Sequence, residues 1–231
     1  FANGGTRCYV SRVIPPDAKK AFVQKGILGV EAVDEGKWGN RIQVTLNTAT
    51  RKKMQLVGKN GEAYVAKSVD GFREGDLVVC NEEYNRIQSI FDNSVTFERA
   101  FGQEIVDTAL IPKTLVYLVE TDMSVRYGED VENYTGLSFN TANPNYISYR
   151  LANSELIRIT VQTPETAGNP VEAILGEGNT AGIFTLEGGQ DGSMSGVNAG
   201  TFIGEDNGPG KRTGLASFVE NNTVSMLAIP G

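Results

Sequence analysis

The sequence predicts an α+β fold: a mixed α/β sheet domain carrying an inserted small antiparallel β-barrel-like subdomain. Three observations predict it. Between about 53 and 112, short strand-like runs are separated by turn residues at the spacing of a small, SH3-like barrel. On either side, strand-like apolar runs mix with helix-start signals at Asp17, Asn143-Pro144 and Thr213. The chain has 231 residues and is 40% hydrophobic, enough to bury a core and to exclude disorder as a description of the whole. The expected division is a core domain of 1–52 plus 113–231 and an inserted β subdomain of 53–112.

The elements follow in order. Arg7–Val13 reads as a short buried strand ended by Pro15-Pro16. Asp17 is placed to cap a helix over Ala18–Lys25. Ile27–Val33 alternates as a strand, Gly36–Asn40 is a turn, and Arg41–Leu46 is a second strand. Asn60-Gly61 signals a two-residue hairpin, because both residue types accept positive φ. Gly75-Asp76 opens Leu77–Cys80, and Tyr84–Phe91 turns at Asp92-Asn93 into Val95–Phe97. Thr114–Arg126 reads as one long half-buried strand. A helix is expected from Pro144 to about Ala152, a strand over Glu155–Val161, and a helix over Gly214–Glu220 capped by Thr213. Twelve of the 27 glycines fall between 163 and 210, a loop-rich stretch. Thr223–Ile229 is apolar on both alternating faces and reads as a central strand covered on both sides. One sheet is expected to unite Cys8–Val13, Ile42–Leu46, Glu155–Val161 and Val224–Ile229.

Composition removes most chemistry. There is no histidine, which takes away the commonest general base and most zinc sites. Cys8 and Cys80 both lie in apolar runs and read as buried free thiols. A net charge of −7, with no long run of like charge, gives no sign of the basic face that nucleic acid needs, and no nucleic-acid partner is expected. No apolar stretch is long enough to span a bilayer. Gly188-Gly189-Gln190-Asp191-Gly192 lacks the Lys and Ser/Thr of a phosphate loop and reads as a tight polar turn. Asp191 with Glu187 lacks the alternating oxygen ligands of a calcium loop. The acidic pairs Glu82-Glu83, Glu129-Asp130 and Glu205-Asp206 lie beside Gly or Asn and read as solvated loops; a carboxylate-based hydrolase needs two of them facing one another. Trp38 reads as the packing anchor of its own turn; as a sugar platform it is the alternative reading, a carbohydrate- or receptor-binding module with Tyr84 or Tyr127. The expectation is no enzyme, cofactor or metal.

Four passages, in order, resemble contractile-tail sheath proteins of phage tails and related injection systems. The first is Phe1–Val13, with Asn3-Gly4-Gly5 and Tyr9-Val10, similar to a Phe-x-Asn-Gly-Gly-x-x-x-Tyr-Val-x-Arg-Val passage. The second is Gly36-Lys37-Trp38-Gly39-Asn40 before a strand. The third joins Glu132–Ser138, with Tyr134 where Phe is more usual, to Asn143–Tyr146 and Ala152–Ile157. The fourth joins Leu186-Glu187-Gly188-Gly189-Gln190-Asp191-Gly192 to Thr213-Gly214-Leu215 and to Val224–Gly231, which ends Pro230-Gly231. The segment from about 53 to 112 matches least and fits a variable insertion. The resemblance implies stacked hexameric rings around an inner tail tube, contraction by rigid-body sliding, and partners that are other sheath subunits, the tube protein and the baseplate. It implies a place in the virion tail sheath, after assembly in the bacterial host cytoplasm. Family subunits are linked by extended terminal arms that add strands to neighbours. The chain opens at Phe1 without an initiator Met or signal peptide and closes at Gly231, so it is expected to be a central portion without those arms, and a monomer when alone.

Overall fold

In the computed structural model the described residues are 7–102, 114–162, 168–224 and 226–229. The first ladder is a hairpin of β1 (Lys20–Lys25) and β2 (Leu28–Glu35), turned at Gly26, where φ is +48°. Ala21 and Val23 point inward while Phe22 and Gln24 point out, a period of two. A helix over Ala18–Lys25 is thereby corrected to a strand: side chains at that spacing reach the core only if the backbone is extended. A 3-10 turn, Lys37–Arg41, leads into β3 (Gln43–Ala49), which buries Val44 and Leu46.

The chain then builds the barrel from β4 (Lys53–Asn60), β5 (Ala63–Ala66), β6 (Leu77–Cys80), β7 (Glu83–Phe91), β8 (Ser94–Phe97) and β9 (Leu115–Leu118). These close in the order β4-β5-β8-β7-β6-β9 with antiparallel ladders throughout, so no strand edge is left open. The hairpin at Asn60-Gly61 forms with Asn60 opposite Ala63, so its two loop residues are Gly61 and Glu62. Asn81 and Glu82 both take positive φ, 47° and 65°, in the β6–β7 turn.

The expected single strand over Thr114–Arg126 is two strands in two different bodies. β9 pairs with β4 and β6, whereas β10 (Glu120–Tyr127) pairs with β3 and with β11 (Asp130–Leu137). Inward positions are 116 and 118 in β9, then 123 and 125 in β10; the alternation slips phase at Val119, whose N–H donates to the Leu77 carbonyl at 2.9 Å.

After β11 come α1 (Ile147–Arg150), β12 (Ile157–Val161), α2 (Pro170–Leu175), β13 (Ala181–Thr185) and α3 (Ala199–Ile203), with 3-10 turns at Met194–Gly196 and Gly214–Phe218. The helix expected from Pro144 starts only at Ile147, because Asn143 is held in a side-chain turn, its Oδ1 accepting from Asn145 N–H at 2.9 Å. The Thr213 side chain makes no cap hydrogen bond.

The fold is α+β, strand-dominated, with the small antiparallel barrel inserted in the chain between β3 and β10 of a two-sheet body. The expected single sheet is in fact two: β1-β2-β12 and β11-β10-β3-β13. Both feed one core with Val30, Leu46, Met123 and Ile157, closed by Val171 and Ile174 of α2. The barrel has its own core, including Met54, Leu56, Ile87, Val95 and Val116, and the two cores share no residue. Two expected strands are overturned. Residues 7–14 lie in irregular chain, with Cys8 exposed rather than buried, and 226–229 are exposed outside any ladder. These runs turn toward each other instead: Tyr9 Oη lies 2.9 Å from Thr223 Oγ1, and Ser11 Oγ donates to the Gly214 carbonyl at 2.8 Å.

Candidate functional site

Two motifs about 150 residues apart in sequence meet in space. The turn carrying Trp38, Gly39 and Asn40 lies against the loop carrying Gly188, Gly189, Asp191 and Gly192. Asn40 uses its whole side-chain amide on one residue: Nδ2 donates to the Gly189 carbonyl at 2.9 Å and Oδ1 accepts from Gly189 N–H at 2.7 Å. Asp191 Oδ1 accepts from Lys37 N–H at 2.8 Å, with Lys37 Nζ 3.9 Å from Oδ2. The same loop extends the edge of β1, since Lys19 and Gln190 exchange backbone hydrogen bonds of 2.9 Å and Phe22 N–H donates to Glu187 O at 2.8 Å.

Glycine is required here by proximity. A Cβ on Gly39 would lie 2.7 Å from Ala21 Cβ and 2.9 Å from Ala32 Cβ; one on Gly189 would lie 2.4 Å from the Gly36 carbonyl oxygen. Gly192 combines φ +74° with Pro15 Cβ at 2.7 Å, while Gly188 needs only its φ of +79°. The loop does not form a phosphate cradle: the N–H groups of Gly189 and Gln190 are spent on Asn40 and Lys19. Trp38 is no open platform either. Its Nε1 donates to the Glu35 carbonyl at 3.1 Å and its ring meets Tyr127 edge-on at 5.3 Å, with Arg41 over the other ring at 5.4 Å. Asn3, Gly4, Gly5, Pro230 and Gly231 lie outside the described residues.

The third passage closes on itself in the same way. Glu132 on β11 accepts from Ser154 Oγ at 2.6 Å, Tyr134 Oη at 2.8 Å and Glu155 N–H at 2.7 Å, while Ser154 Oγ accepts from Ile157 N–H at 3.0 Å and so starts β12. Burial pushes the Glu132 carboxyl up, but the hydrogen bonds from Ser154, Tyr134 and two backbone N–H groups outweigh it and hold the group below the usual glutamate range. Burial and the neighbouring carboxylate raise the Tyr134 phenol, as the same contact requires.

Two of the three acidic pairs are engaged locally. Glu83 accepts from Gly102 N–H at 2.9 Å, and Arg212 binds Asp206 at 2.6 Å and Glu220 at 2.9 Å. Burial pushes the Cys80 thiol up to about 11, the reverse of a nucleophile. Among the described residues no group of three His, Cys, Asp or Glu is placed to hold a metal, and no helix is long and apolar enough to cross a membrane.

One concave feature among the described residues was not expected from sequence. An open apolar groove of about 620 Å³ runs between the 7–13 segment and the residues Val224 and Met226–Ile229, floored by Phe202, Leu215 and Phe218. Val10 on its rim is 85% exposed and Met226 90%. The signal was the apolar run at Thr223–Ile229, which pattern alone assigned to the interior. No protein-family model and no curated protein matches this chain.

Proposed function

We propose that this chain is a structural subunit of a contractile tail sheath, polymerising as stacked hexameric rings around an inner tube and contracting to drive that tube through a target envelope. The observation that carries the reading is the apolar groove between the 7–13 segment and the residues Val224 and Met226–Ile229. Contiguous exposed apolar surface of this kind marks a protein contact face, and on a chain of net charge −7 it is a site of directed cohesion within a mutually repelling surface. The sheath-like passages support the reading from a second side. Trp38–Asn40 with Glu187–Asp191, and Glu132–Tyr134 with Ser154–Ile157, spend their polar groups on holding loops and strands in register, which is architectural work. The partners on this reading are further sheath subunits, the inner tube protein and the baseplate, in the virion tail, with assembly in the bacterial host cytoplasm. The test is electron microscopy of the parent protein expressed alone and with its tube protein. Rings or tubes with a central channel are expected; dispersed particles under both conditions, across the accessible concentration range, would sink the proposal.

A further inference from the structure

The barrel and the two-sheet body have separate apolar cores, so their mutual orientation is set by other contacts. One of these is covalent and continuous. The β3–β10 ladder ends at Ala49 opposite Glu120, and the β4–β9 ladder resumes at Lys53 opposite Tyr117, so a single two-stranded ribbon runs from one body into the other. At the crossing, Leu118 N–H donates to Lys52 O at 2.9 Å, Lys52 Nζ reaches Glu120 Oε1 at 3.2 Å, and Arg51 forks onto Asp122. A two-stranded ribbon resists stretching but twists readily.

The second contact lies off that axis. Asp76, at the foot of β6, is only 1% exposed. Its Oδ1 accepts from Asn140 Nδ2 at 2.8 Å and from Asn143 Nδ2 at 3.0 Å, both in the loop after β11. Its Oδ2 accepts from Arg73 N–H on the barrel's own side at 2.9 Å, and Asn140 also donates to Glu74 O at 2.8 Å. Beside this cluster is a polar cleft of about 120 Å³, lined by Lys52, Gly71 and Arg73 from one body and Gly136, Ser138 and Asn143 from the other. The joint is therefore loosely filled beside this cluster. A further bond, Asn169 Nδ2 to Tyr84 Oη, is longer at 3.3 Å and neutral.

We propose that Asp76 is a latch: its hydrogen bonds from Asn140 and Asn143 fix the angle of the barrel on the sheets, and when they are broken the barrel turns about the 49–53/118–120 ribbon. A buried carboxylate with two amide donors has a definite bonded geometry and no half-bonded alternative of comparable energy. The open cleft supplies the room to move once it is released. The latch is independent of what the chain assembles with.

The test is a distance between spin labels attached in a Phe91→Cys, Ile183→Cys, Cys8→Ser variant, the first site 78% exposed on the barrel and the second 61% exposed on β13. The parent is expected to give one narrow distance. Asp76→Asn is expected to lose it, giving a broad or shifted distribution with the circular dichroism spectrum retained, because an amide cannot accept from Arg73 N–H and from both asparagines with the same two atoms. Asn143→Ala leaves Asp76 two of its three bonds and is expected to broaden the distance to a smaller extent. Tyr84→Phe is expected to leave it narrow. A distance that stays single and narrow in both latch variants overturns the proposal. So does loss of the whole fold in both, because the barrel and sheets would then be one cooperative unit with no separable joint.

Discussion

Removing the Asn40 side chain tests whether the junction between the two glycine-rich motifs stabilises the fold. In Asn40→Ala, the Gly189 N–H and carbonyl lose their partners at 2.7 and 2.9 Å, and Gly189 is buried. A net hydrogen bond contributes about 1 kcal/mol, and a buried group left unpaired costs about 1–3 kcal/mol. Two such groups, partly re-solvated as the exposed neighbours Gly188 and Gln190 relax, give about 2–3 kcal/mol. For a chain of this size that is a drop in melting temperature of about 5–10 °C. Urea unfolding followed by circular dichroism measures it, with unchanged slope as the sign that the unfolded state is unaltered. Asn47→Ala, exposed on β3, is the control and is expected to stay within about 0.5 kcal/mol. An Asn40→Ala midpoint indistinguishable from that control refutes the reasoning, because the two motifs would then touch without holding each other.

Gly39→Ala is expected to cost about 1–3 kcal/mol by overpacking, since the new methyl meets Ala21 and Ala32, both fully buried, on either side; a melting temperature equal to the parent's contradicts it. Glu132 and Asp122 both titrate below the usual carboxylate range in the folded chain, the first through its Ser154 and Tyr134 bonds against burial, the second through Arg51. Their stabilisation is complete above the unfolded values near 4 and is lost as pH falls through them toward the depressed folded values, so melting temperature should hold from neutral to about pH 5 and then fall. Glu132→Gln is expected to flatten that fall and to cost about 1–2 kcal/mol at neutral pH, a figure kept low because the group is partly solvated. Melting curves of the two proteins that run parallel across pH would contradict it.

Some of this was legible in the sequence and some was not, for identifiable reasons. Two of the barrel's hairpins were legible because Asn60-Gly61 and Asp92-Asn93 are turn dipeptides set between strand-like apolar runs. Its sixth strand was not, because Leu115-Val116-Tyr117-Leu118-Val119 is apolar at every position and hides the phase slip that sends β10 to another sheet. β11 was missed for the opposite reason: Asp130–Leu137 is an edge strand with only Leu137 fully buried and little apolar alternation to read. The Trp38–Asn40 and Gly188–Gly192 motifs were both visible, but their pairing was not, since nothing local in either names its partner.

The terminal apolar runs make the sharpest case. An apolar run states that a segment gains by leaving water; it does not state what covers it. Leu227 was expected inside a central strand, where Leu227→Asp would strand an unpaired charge at a cost of several kcal/mol. In the structure it is 57% exposed on the wall of the groove, with no ladder on either side. The substitution is therefore expected to change the melting temperature of the isolated chain by less than about 2 °C, the range of an ordinary surface change. Its effect belongs in association instead: a carboxylate on the groove wall must be desolvated by whatever seats there, so any ring, tube or dimer formed by the parent protein should be lost in Leu227→Asp while the fold persists. Light scattering and a thermal melt on the same sample separate the two. A large loss of stability with unchanged assembly would return Leu227 to the interior and remove the groove as a contact face.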